Sequence, residues 1–305
     1  MQSRKPENNV KGIDVSHWQG KIDWKDVRSD GIEFVYIKAS EGSTIKDPNV
    51  ESNYNAAKQA GLKVGFYHFG HPSQSATKEV KWFLSVISHF NNDLPHVLDI
   101  EQKENLDKTD VTNYCEQWLS TIKDLTGKDP ILYTYVSFAK ENFNNSLSKW
   151  PIWIAHYGVD TPENIGIWEK WSIFQYTNTG SVKGVEGKVD MDEMDRSFYN
   201  TLFSELGESD DSISKCKYIL PKGIIKRGDI SEDVQKVQEA LASVYFYPDK
   251  NAQQHGVDGV FGPNTEDAVR RFQEVYIPKQ VDGIFGPNTR GQLKSLIQSR
   301  GCQVL

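Results

Sequence analysis

Two carboxylates stand at the end of the stretch VLDIEQ (97–102), which otherwise has the apolar character of a buried β-strand. Because successive side chains of a strand point to opposite faces, Asp99 and Glu101 share one face and Ile100 faces away. Two acids held close together keep a proton more readily than an isolated carboxylate does. Such a pair is suited to act as a general acid near neutral pH. The alternative is that the strand simply ends here and both acids are solvated.

A barrel of strands and helices would carry these acids to a common edge. Short β-type runs recur along the first two thirds of the chain, and helical stretches separate several of them. This alternation favours a mainly parallel sheet, and eight strands favour a closed barrel. The predicted fold is an α/β, TIM-like β/α barrel, irregular at its end because the later intervals are short or rich in Gly and Asn. The eight runs span 12–18, 34–40, 63–69, 96–101, 131–135, 151–157, 173–178 and 188–191.

The clearest helix signal between these runs is DPNVESNYNAAKQAG (47–61). Asp47 is expected to be the N-cap, Pro48 lies in the first turn, and Gly61 is the stop signal. Residues 75–90 and 110–126 are predicted as two further helices.

In a barrel of parallel strands the active site lies at the carboxyl ends of the strands. Asp14 lies late in the first run, Asp99 and Glu101 end the fourth, and Asp190 lies in the last. We therefore expect these four acids to meet at one mouth of the barrel. Acids surrounded by aromatic rings suit a sugar substrate, because the rings pack against the CH-rich faces of pyranoses. The aromatic residues in or just after the strands are Trp18, Tyr36, Tyr67, Tyr135, Trp153, Tyr157 and Tyr176.

Each of these residues also has a purely structural interpretation. Asp14 could accept hydrogen bonds within a loop, and Asp190 belongs to the acidic run VDMDEMD, which is typical of a solvated helix start. Strand aromatics are individually more often core residues than substrate contacts. His68 and His71 could suggest a metal pair, but no third ligand has a recognisable spacing. The ordered set, rather than any single residue, indicates a sugar-cleaving site, and no metal or cofactor is predicted.

The last third of the chain is organised differently. Residues 207–217 (GESDDSISKCK) are polar, acidic and aperiodic, which predicts a linker. Beyond it, VDGVFGPNT (257–265) and VDGIFGPNT (281–289) match at eight of nine positions. Each copy has an Asp-Gly turn and then a proline suited to a first helical turn, and apolar residues at helical spacing flank the first copy. We predict a small all-α three-helix domain over 218–305.

Charge and cysteine content narrow the function classes. The formal net charge of −7 argues against general nucleic-acid binding. Residues 218–305 carry 11 Lys and Arg against 10 Asp and Glu, so this part is better suited than the rest to approach an anionic surface. Cys115, Cys216 and Cys302 are far apart and are predicted to be free thiols. No apolar run is long enough to span a membrane, and no apolar segment follows the basic N-terminus as it would in a signal peptide.

Taken together, the motifs resemble a known family. GIDVSHWQG, FVYIKASEG, GFYHFG, LDIE, PILYTY, WIAHYG, FQYT and GVEGKVDMD occur in the order seen in glycoside hydrolase family 25, the barrel-fold lysozymes. The resemblance implies a catalytic barrel over 11–206 after an N-terminal arm of residues 1–10. IKRGDISEDVQKVQEAL and VDGVFGPNTEDAVRRFQ resemble the three-helix peptidoglycan-binding domain of many cell-wall hydrolases. The whole chain resembles a phage endolysin or a bacterial autolysin.

The resemblance implies hydrolysis of the β-1,4 bond between N-acetylmuramic acid and N-acetylglucosamine in bacterial peptidoglycan. Glu101 would protonate the leaving oxygen, Asp99 would keep its charge beside it and orient the 2-acetamido group, and Asp14 and Asp190 would complete the acidic cleft. Direct attack by a carboxylate and assistance by the acetamido oxygen both stay open. Retention through the acetamido group is favoured, because no single Asp is obviously placed as a nucleophile. Substrate contacts are expected from Trp18, Tyr36, Tyr67, His68, Tyr135, Trp153, Tyr157 and Gln175.

Other functions and locations remain as alternatives. A non-catalytic wall-binding protein would commonly lose Glu101 while keeping the aromatic residues, and a chitinase-like glycosidase would act on polymers of N-acetylglucosamine. The expected partner is peptidoglycan, with its glycan strands in the cleft and the cell wall held by the C-terminal domain, and neither nucleic acid nor membrane insertion is expected. The missing signal peptide fits an endolysin held in the host cytoplasm until it is released to the wall. The alternative is a secreted autolysin whose signal was removed, and no oligomeric state is predicted.

Overall fold

The structure is a computed structural model that describes residues 2–204, 217–244, 246–249, 252–299 and 302–304. The chain divides into two compact units, one containing the barrel and the other containing the described residues from 217 onwards. The predicted fold, a closed eight-stranded barrel followed by a small helical domain, is confirmed. None of the helices in the described ranges is both long enough and apolar enough to cross a membrane.

Eight strands form the barrel, and one short strand is added to its edge. They are β1 (Val10–Val15), β2 (Phe34–Glu41), β4 (Lys63–Phe69), β5 (Val97–Asp99), β6 (Ile131–Tyr135), β7 (Ile152–Ala155), β8 (Ile173–Gly180) and β9 (Val189–Met194), with β3 (Ile45–Lys46) as the short addition. Each barrel strand pairs with the next one along the chain, β3 pairs only with the end of β2, and β9 returns to β1 to close the sheet.

The barrel strands from β1 to β8 run parallel, whereas β9 runs antiparallel to both of its neighbours. Parallel neighbours require a long crossover connection, and only residues 181–188 separate β8 from β9, so the chain returns in the opposite direction. The irregularity expected at the end of the barrel lies in this strand. Its register places Asp190 opposite Asp14 and Asp192 opposite Gly12.

Helices occupy most connections between the barrel strands, as the alternating pattern predicts. They are α1 (Trp24–Ser29), α2 (Val50–Gln59), α3 (Ala76–Ile87), α4 (Lys108–Thr126) and α5 (Val136–Asn142), followed after the last strand by α6 (Arg196–Ser204). The prediction that Asp47 caps α2 is wrong, because Asn49 is the N-cap residue. The Asp47 side chain is buried instead, where it accepts hydrogen bonds from the backbone N–H groups of His17 and Asn49.

Large rings fill the barrel interior beneath the acidic residues. Phe34, Tyr36 and Trp153 belong to one buried cluster with apolar residues of the other strands. Two glycines make room for these rings: a Cβ atom at Gly12 would lie 2.2 Å from the Phe34 ring, and one at Gly65 would lie 2.2 Å from the Tyr36 ring. The well-packed interior gives the acids a rigid and poorly solvated base.

Among its described residues, the second unit contains three α-helices, as predicted. They are α7 (Glu232–Ser243), α8 (Pro263–Tyr276) and α9 (Pro287–Ser299), and the unit also contains the paired strands β10 (Lys217–Tyr218) and β11 (Gln303–Val304). Each repeated turn is held by one buried glutamine. In the first turn, Gln238 accepts a hydrogen bond from the Gly259 N–H and donates one to Thr265 Oγ1. Gln273 makes the corresponding bonds in the second turn, so the two turns share one sequence for a structural reason.

The cysteines depart in part from the prediction. Cys115 is free and buried, but Cys302 is disulfide-bonded, so the prediction of free thiols is wrong for Cys302. The spacing of the cysteines in the sequence does not predict that β10 pairs with β11. This pairing places Lys217 beside Gln303. Cys216 lies outside the described residues, and so does the predicted linker apart from Lys217.

Candidate active site

A cavity of about 200 Å³ opens at the carboxyl ends of the barrel strands. All four predicted acids line it, together with five of the eight expected substrate contacts. Four further lining residues, Val15, Ser16, Gln19 and Tyr133, were not predicted from the sequence. The predicted residues that the structure brings to the cavity are Asp14, Asp99, Glu101, Asp190, Trp18, Tyr67, Trp153, Tyr157 and Gln175.

The two acids of VLDIEQ project as the strand pattern predicts. Asp99 is the last residue of β5 and lies in register with Phe69 of β4 and Tyr133 of β6. Glu101 follows two residues later, and Ile100 between them is completely buried. Both carboxyl groups line the cavity, so one short strand supplies two acids to one site.

Asp99 and Glu101 form a hydrogen-bonded pair whose pKa values are both raised. Burial is the main cause for Asp99, and the negative charge of Glu101 raises the pKa of Asp99 further. Burial also raises the pKa of Glu101, the hydrogen bond with Asp99 lowers it, and the charge of Asp190 raises it, while the positive charge of Lys38 lowers both pKa values. The pair therefore retains a proton at a pH at which free carboxylic acids would have lost it.

A second acidic group lies across the cavity and includes an acid that was not singled out from the sequence. Asp14 of β1 faces Asp190 of β9, and burial followed by the charge of Asp190 raises the pKa of Asp14 well above its usual value. Burial raises the pKa of Asp190 to about 6. Asp192, which is also buried, is hydrogen-bonded to Asp14. In the strand that VDMDEMD forms, Asp190 and Asp192 share a face, and this alternation was the available signal.

Gln175 of β8 links the acids to two tyrosines. Its side-chain nitrogen donates a hydrogen bond of 2.6 Å to Asp14 Oδ2. Its side-chain oxygen accepts hydrogen bonds of 2.8 Å from the hydroxyls of Tyr133 and Tyr157. With both ends of its amide engaged, Gln175 fixes the orientation of the Asp14 carboxyl group.

Two aromatic rings at the cavity are open to solvent. Trp18, in a short 3-10 turn after β1, is 81% exposed, and Tyr157 after β7 is 43% exposed. The turn that carries Trp18 is anchored by His17, whose Nδ1 atom lies 2.8 Å from Asp47 Oδ2. Exposed rings beside buried acids provide the apolar faces on which sugar rings pack.

The structure places the three remaining expected contacts elsewhere. Tyr36 is completely buried in the barrel interior, with its ring 4.9 Å from that of Trp153. His68 is also completely buried, because it alternates with Tyr67 and therefore points out of the barrel. Tyr135 lines a neighbouring groove of about 630 Å³, although its hydroxyl lies 3.3 Å from the backbone oxygen of Glu101. Direct substrate contacts are thus not supported for Tyr36 and His68.

Comparison with known families agrees with this fold. The sequence model for glycosyl hydrolases family 25 matches residues 13–185, and the chain belongs to this family. A model for peptidoglycan binding domains matches residues 231–293, within the three-helix unit. The chain is therefore a glycoside hydrolase with an attached domain of the peptidoglycan-binding type.

Known relatives are similar over both parts of the chain. The autolytic lysozyme of Clostridium acetobutylicum is 33% identical over 273 residues, which are 87% of this chain and 73% of that protein. The crystal structure of the bacterial lysozyme from Streptomyces coelicolor is 35% identical with a TM-score of 0.59, covering 65% of this chain and 97% of the other. The CTP1L endolysin is 28% identical with a TM-score of 0.57, covering 76% and 80% respectively.

Proposed function

We propose that this chain is a muramidase that hydrolyses the β-1,4 bond between N-acetylmuramic acid and N-acetylglucosamine in bacterial peptidoglycan. The observation that carries the proposal is the hydrogen-bonded pair of Asp99 and Glu101 in a cavity that contains two further acids. Membership of glycosyl hydrolases family 25 and the similarity to lysozymes support the same substrate.

In the proposed reaction, Glu101 protonates the oxygen of the leaving sugar. The proton comes from the acid pair, which holds it because burial raises both pKa values. Asp14 and Asp190 face the same cavity, where a negative charge on this pair stabilises the positive charge that develops on the sugar ring. Trp18 and Tyr157 offer exposed rings to the neighbouring sugars.

We propose that the substrate's own acetamido oxygen assists the first step and that the reaction retains the configuration of the sugar. Asp99 is buried at the base of the cavity beside Glu101, a position suited to accepting a hydrogen bond from the acetamido N–H. After the leaving sugar departs, the Glu101 carboxylate activates the water that completes hydrolysis. Direct attack by a carboxylate is the alternative, and a covalent sugar adduct trapped on Asp99, Asp14 or Asp190 would favour it.

The test of the proposed activity is digestion of purified peptidoglycan, followed by borohydride reduction and mass spectrometry of the fragments. Wild-type protein should release fragments with reduced N-acetylmuramic acid ends, and Glu101→Gln should lower the rate about a thousandfold, the middle of the range for loss of a general acid. Glu33→Gln is a matched control, because Glu33 precedes β2 and pairs with Arg196 away from the cavity lining.

Four outcomes would contradict the proposal in different ways. Reduced N-acetylglucosamine ends would indicate a glucosaminidase, and comparable activity on chitin oligomers would indicate a chitinase-like enzyme. An absence of new reducing ends would favour a wall-binding protein without catalysis. Full activity of the Glu101→Gln variant would show that Glu101 is not the general acid.

We propose that the two units divide the work, with the barrel over 11–206 cutting the glycan and the unit over 218–305 holding the cell wall, joined by a linker over 207–217. The match of residues 231–293 to peptidoglycan binding domains supports the second role. Similarity to an autolytic lysozyme and to an endolysin supports action at the bacterial wall. Release from the host cytoplasm is our preferred route to the wall, and secretion as an autolysin is the alternative.

A further inference from the structure

A chain of charged side chains borders the cavity on the side of β2, β4 and β5. Lys38 and Glu41 belong to β2, His71 follows β4 by two residues, and Glu104 follows β5 by five. All lie at or after the carboxyl ends of parallel strands, the edge of the barrel that also carries the acid pair. We call these four residues the mouth cluster.

The four side chains contact one another in sequence. The Lys38 ammonium donates to Glu41 Oε2 at 2.6 Å, and Glu41 Oε1 lies 3.2 Å from His71 Nε2. The other ring nitrogen of His71, Nδ1, lies 2.5 Å from Glu104 Oε1. Both ring nitrogens of His71 therefore face carboxylates, one from β2 and one from the loop after β5.

Each partner favours the charged form of its neighbours. Burial alone would raise the pKa of Glu41, but hydrogen bonds and charges from Lys38 and His71 lower it. Burial alone would lower the pKa of His71, but Glu104 and Glu41 raise it. Glu104 likewise has a lowered pKa, because hydrogen bonds from Ser73 and His71 outweigh its burial. When His71 is protonated, charges of alternating sign connect three strands.

The loop held by Glu104 is the loop that follows Glu101. Glu104 and Asn105 adopt φ angles of 49° and 67°, in the left-handed region that residues other than glycine seldom occupy. Such a conformation persists only where surrounding contacts impose it. The second oxygen of Glu104 accepts hydrogen bonds from the backbone N–H and the hydroxyl of Ser73, so this loop is tied to the loop after β4.

The other end of the cluster acts on the acid pair through Lys38. Its ammonium lies 5.0 Å from the centre of the Phe69 ring, and Phe69 is in register with Asp99. The positive charge of Lys38 lowers the pKa values of Asp99 and Glu101, against the effect of burial. The position of Lys38 therefore influences the pKa values of Asp99 and Glu101.

We propose that His71 is a positioning residue of this enzyme. Its imidazolium bridges Glu41 and Glu104. Through Glu41 it holds the Lys38 ammonium beside the acid pair, and through Glu104 it holds the loop that follows Glu101. This inference rests on the proposed muramidase function. His71 is not among the residues that line the cavity, and it acts through its neighbours. The titratable and charged groups that face His71 are Glu41 and Lys38 from β2, His68 from β4, Glu79 from α3, Tyr114 from α4 and Glu104 from the loop after β5.

The proposal is tested with His71→Gln in the full chain, which keeps a hydrogen-bonding side chain and removes the charge. Because the pKa of His71 is raised, wild-type protein carries the imidazolium at low pH and loses it as the pH rises through that value. The ratio of wild-type to variant kcat/KM on peptidoglycan fragments should be about tenfold near pH 5.5 and fall towards one at high pH, as expected for modest misplacement of an acid. The loss should be in kcat rather than KM.

Glu104→Gln removes the same bridge from the other side, should give the same pH-dependent ratio, and replaces His71→Gln if that variant fails to fold. His89→Gln serves as the matched histidine control, since His89 follows α3 and lies outside the cluster. A ratio that is constant with pH, or a ratio of one at every pH, would overturn the positioning role. If wild-type protein itself failed to cut peptidoglycan, the muramidase proposal would fail instead.

Discussion

Among the acids at the active site, Asp192 has very little access to water, because its side chain is 1% exposed. Burial and the charge of Asp14 raise the pKa of Asp192 well above its usual value. Trp153 Nε1 donates to Asp192 Oδ1 at 2.9 Å, and the other partner of this carboxyl group is Asp14. The raised pKa favours the protonated form of Asp192, which donates to Asp14, so the Asp14 carboxyl group is held from two sides by Asp192 and Gln175.

This assignment predicts opposite outcomes for two substitutions of similar size. Asp192→Asn keeps an oxygen for Trp153 and an N–H for Asp14, so activity on soluble peptidoglycan fragments should stay within about threefold of wild type. Asp192→Leu leaves both partners unsatisfied, and it should lower the free energy of unfolding by about 2 kcal/mol and reduce kcat clearly. Steady-state kinetics and urea unfolding measure both effects. Equal damage from the two variants would mean that Asp192 works as a charge.

The alternation of side chains along a strand explains which site residues could be predicted from the sequence. It correctly predicts that Asp99 and Glu101 share a face, and both line the cavity. The same rule allows only one of Tyr67 and His68 to face the interior, although both were expected to contact substrate. The strand predicted over 188–191 stops one residue before Asp192, so this acid was missed although the strand itself was predicted. Distances across the barrel depend on closure, so local spacing cannot supply them.

Behind the barrel wall, a buried polar network joins β2 and β4 to two helices. His68 Nδ1 lies 2.9 Å from Ser40 Oγ, and His68 Nε2 lies 2.7 Å from Glu79 Oε2 of α3. Tyr114 of α4 donates to the same Glu79 oxygen at 2.6 Å. Burial lowers the pKa of His68 despite the neighbouring carboxylate, so the imidazole is neutral at neutral pH. The network holds the strand that presents Tyr67 to the cavity.

His68→Leu should therefore destabilise the barrel without touching the chemistry. Glu79 would lose one of its buried partners, and removing one member of a buried pair of this kind costs about 3 kcal/mol. Tryptophan fluorescence in urea isolates the effect, because all eight tryptophans lie before residue 172 and none lies in the three-helix unit. His89→Leu is the comparison. A loss below about 1 kcal/mol would show that the network contributes little.

Most strands of the barrel could be predicted from the sequence, because each has a β-type composition bounded by turn signals. The direction of β9 could not be predicted, since nothing in KVDM distinguishes a parallel from an antiparallel strand. The short interval after β8 is the physical cause of the reversal. Asp47 has the sequence context of a helix cap, but its side chain binds the backbone of His17, a partner 30 residues away.

The chain as a whole combines two compact units of unequal charge. Residues 218–305 carry a slight positive excess while the rest of the chain is strongly acidic. Each unit has its own buried apolar residues, including Phe34 and Trp153 in the barrel and Phe261 and Phe272 in the helical unit. A catalytic unit attached to a wall-binding unit meets its substrate at a raised effective concentration, provided that the linker allows both to engage.

Removal of residues 207–305 should therefore separate binding from cleavage. The remaining barrel should cut soluble peptidoglycan fragments at the wild-type rate, because every cavity-lining residue precedes residue 191. On insoluble cell walls its rate should fall about tenfold or more, since the second contact is lost. Co-sedimentation with purified walls measures binding directly, and the full-length Glu101→Gln variant should sediment as wild type does. If the shortened protein sediments equally well, the three-helix unit serves another purpose, such as stabilising the barrel or mediating dimerisation.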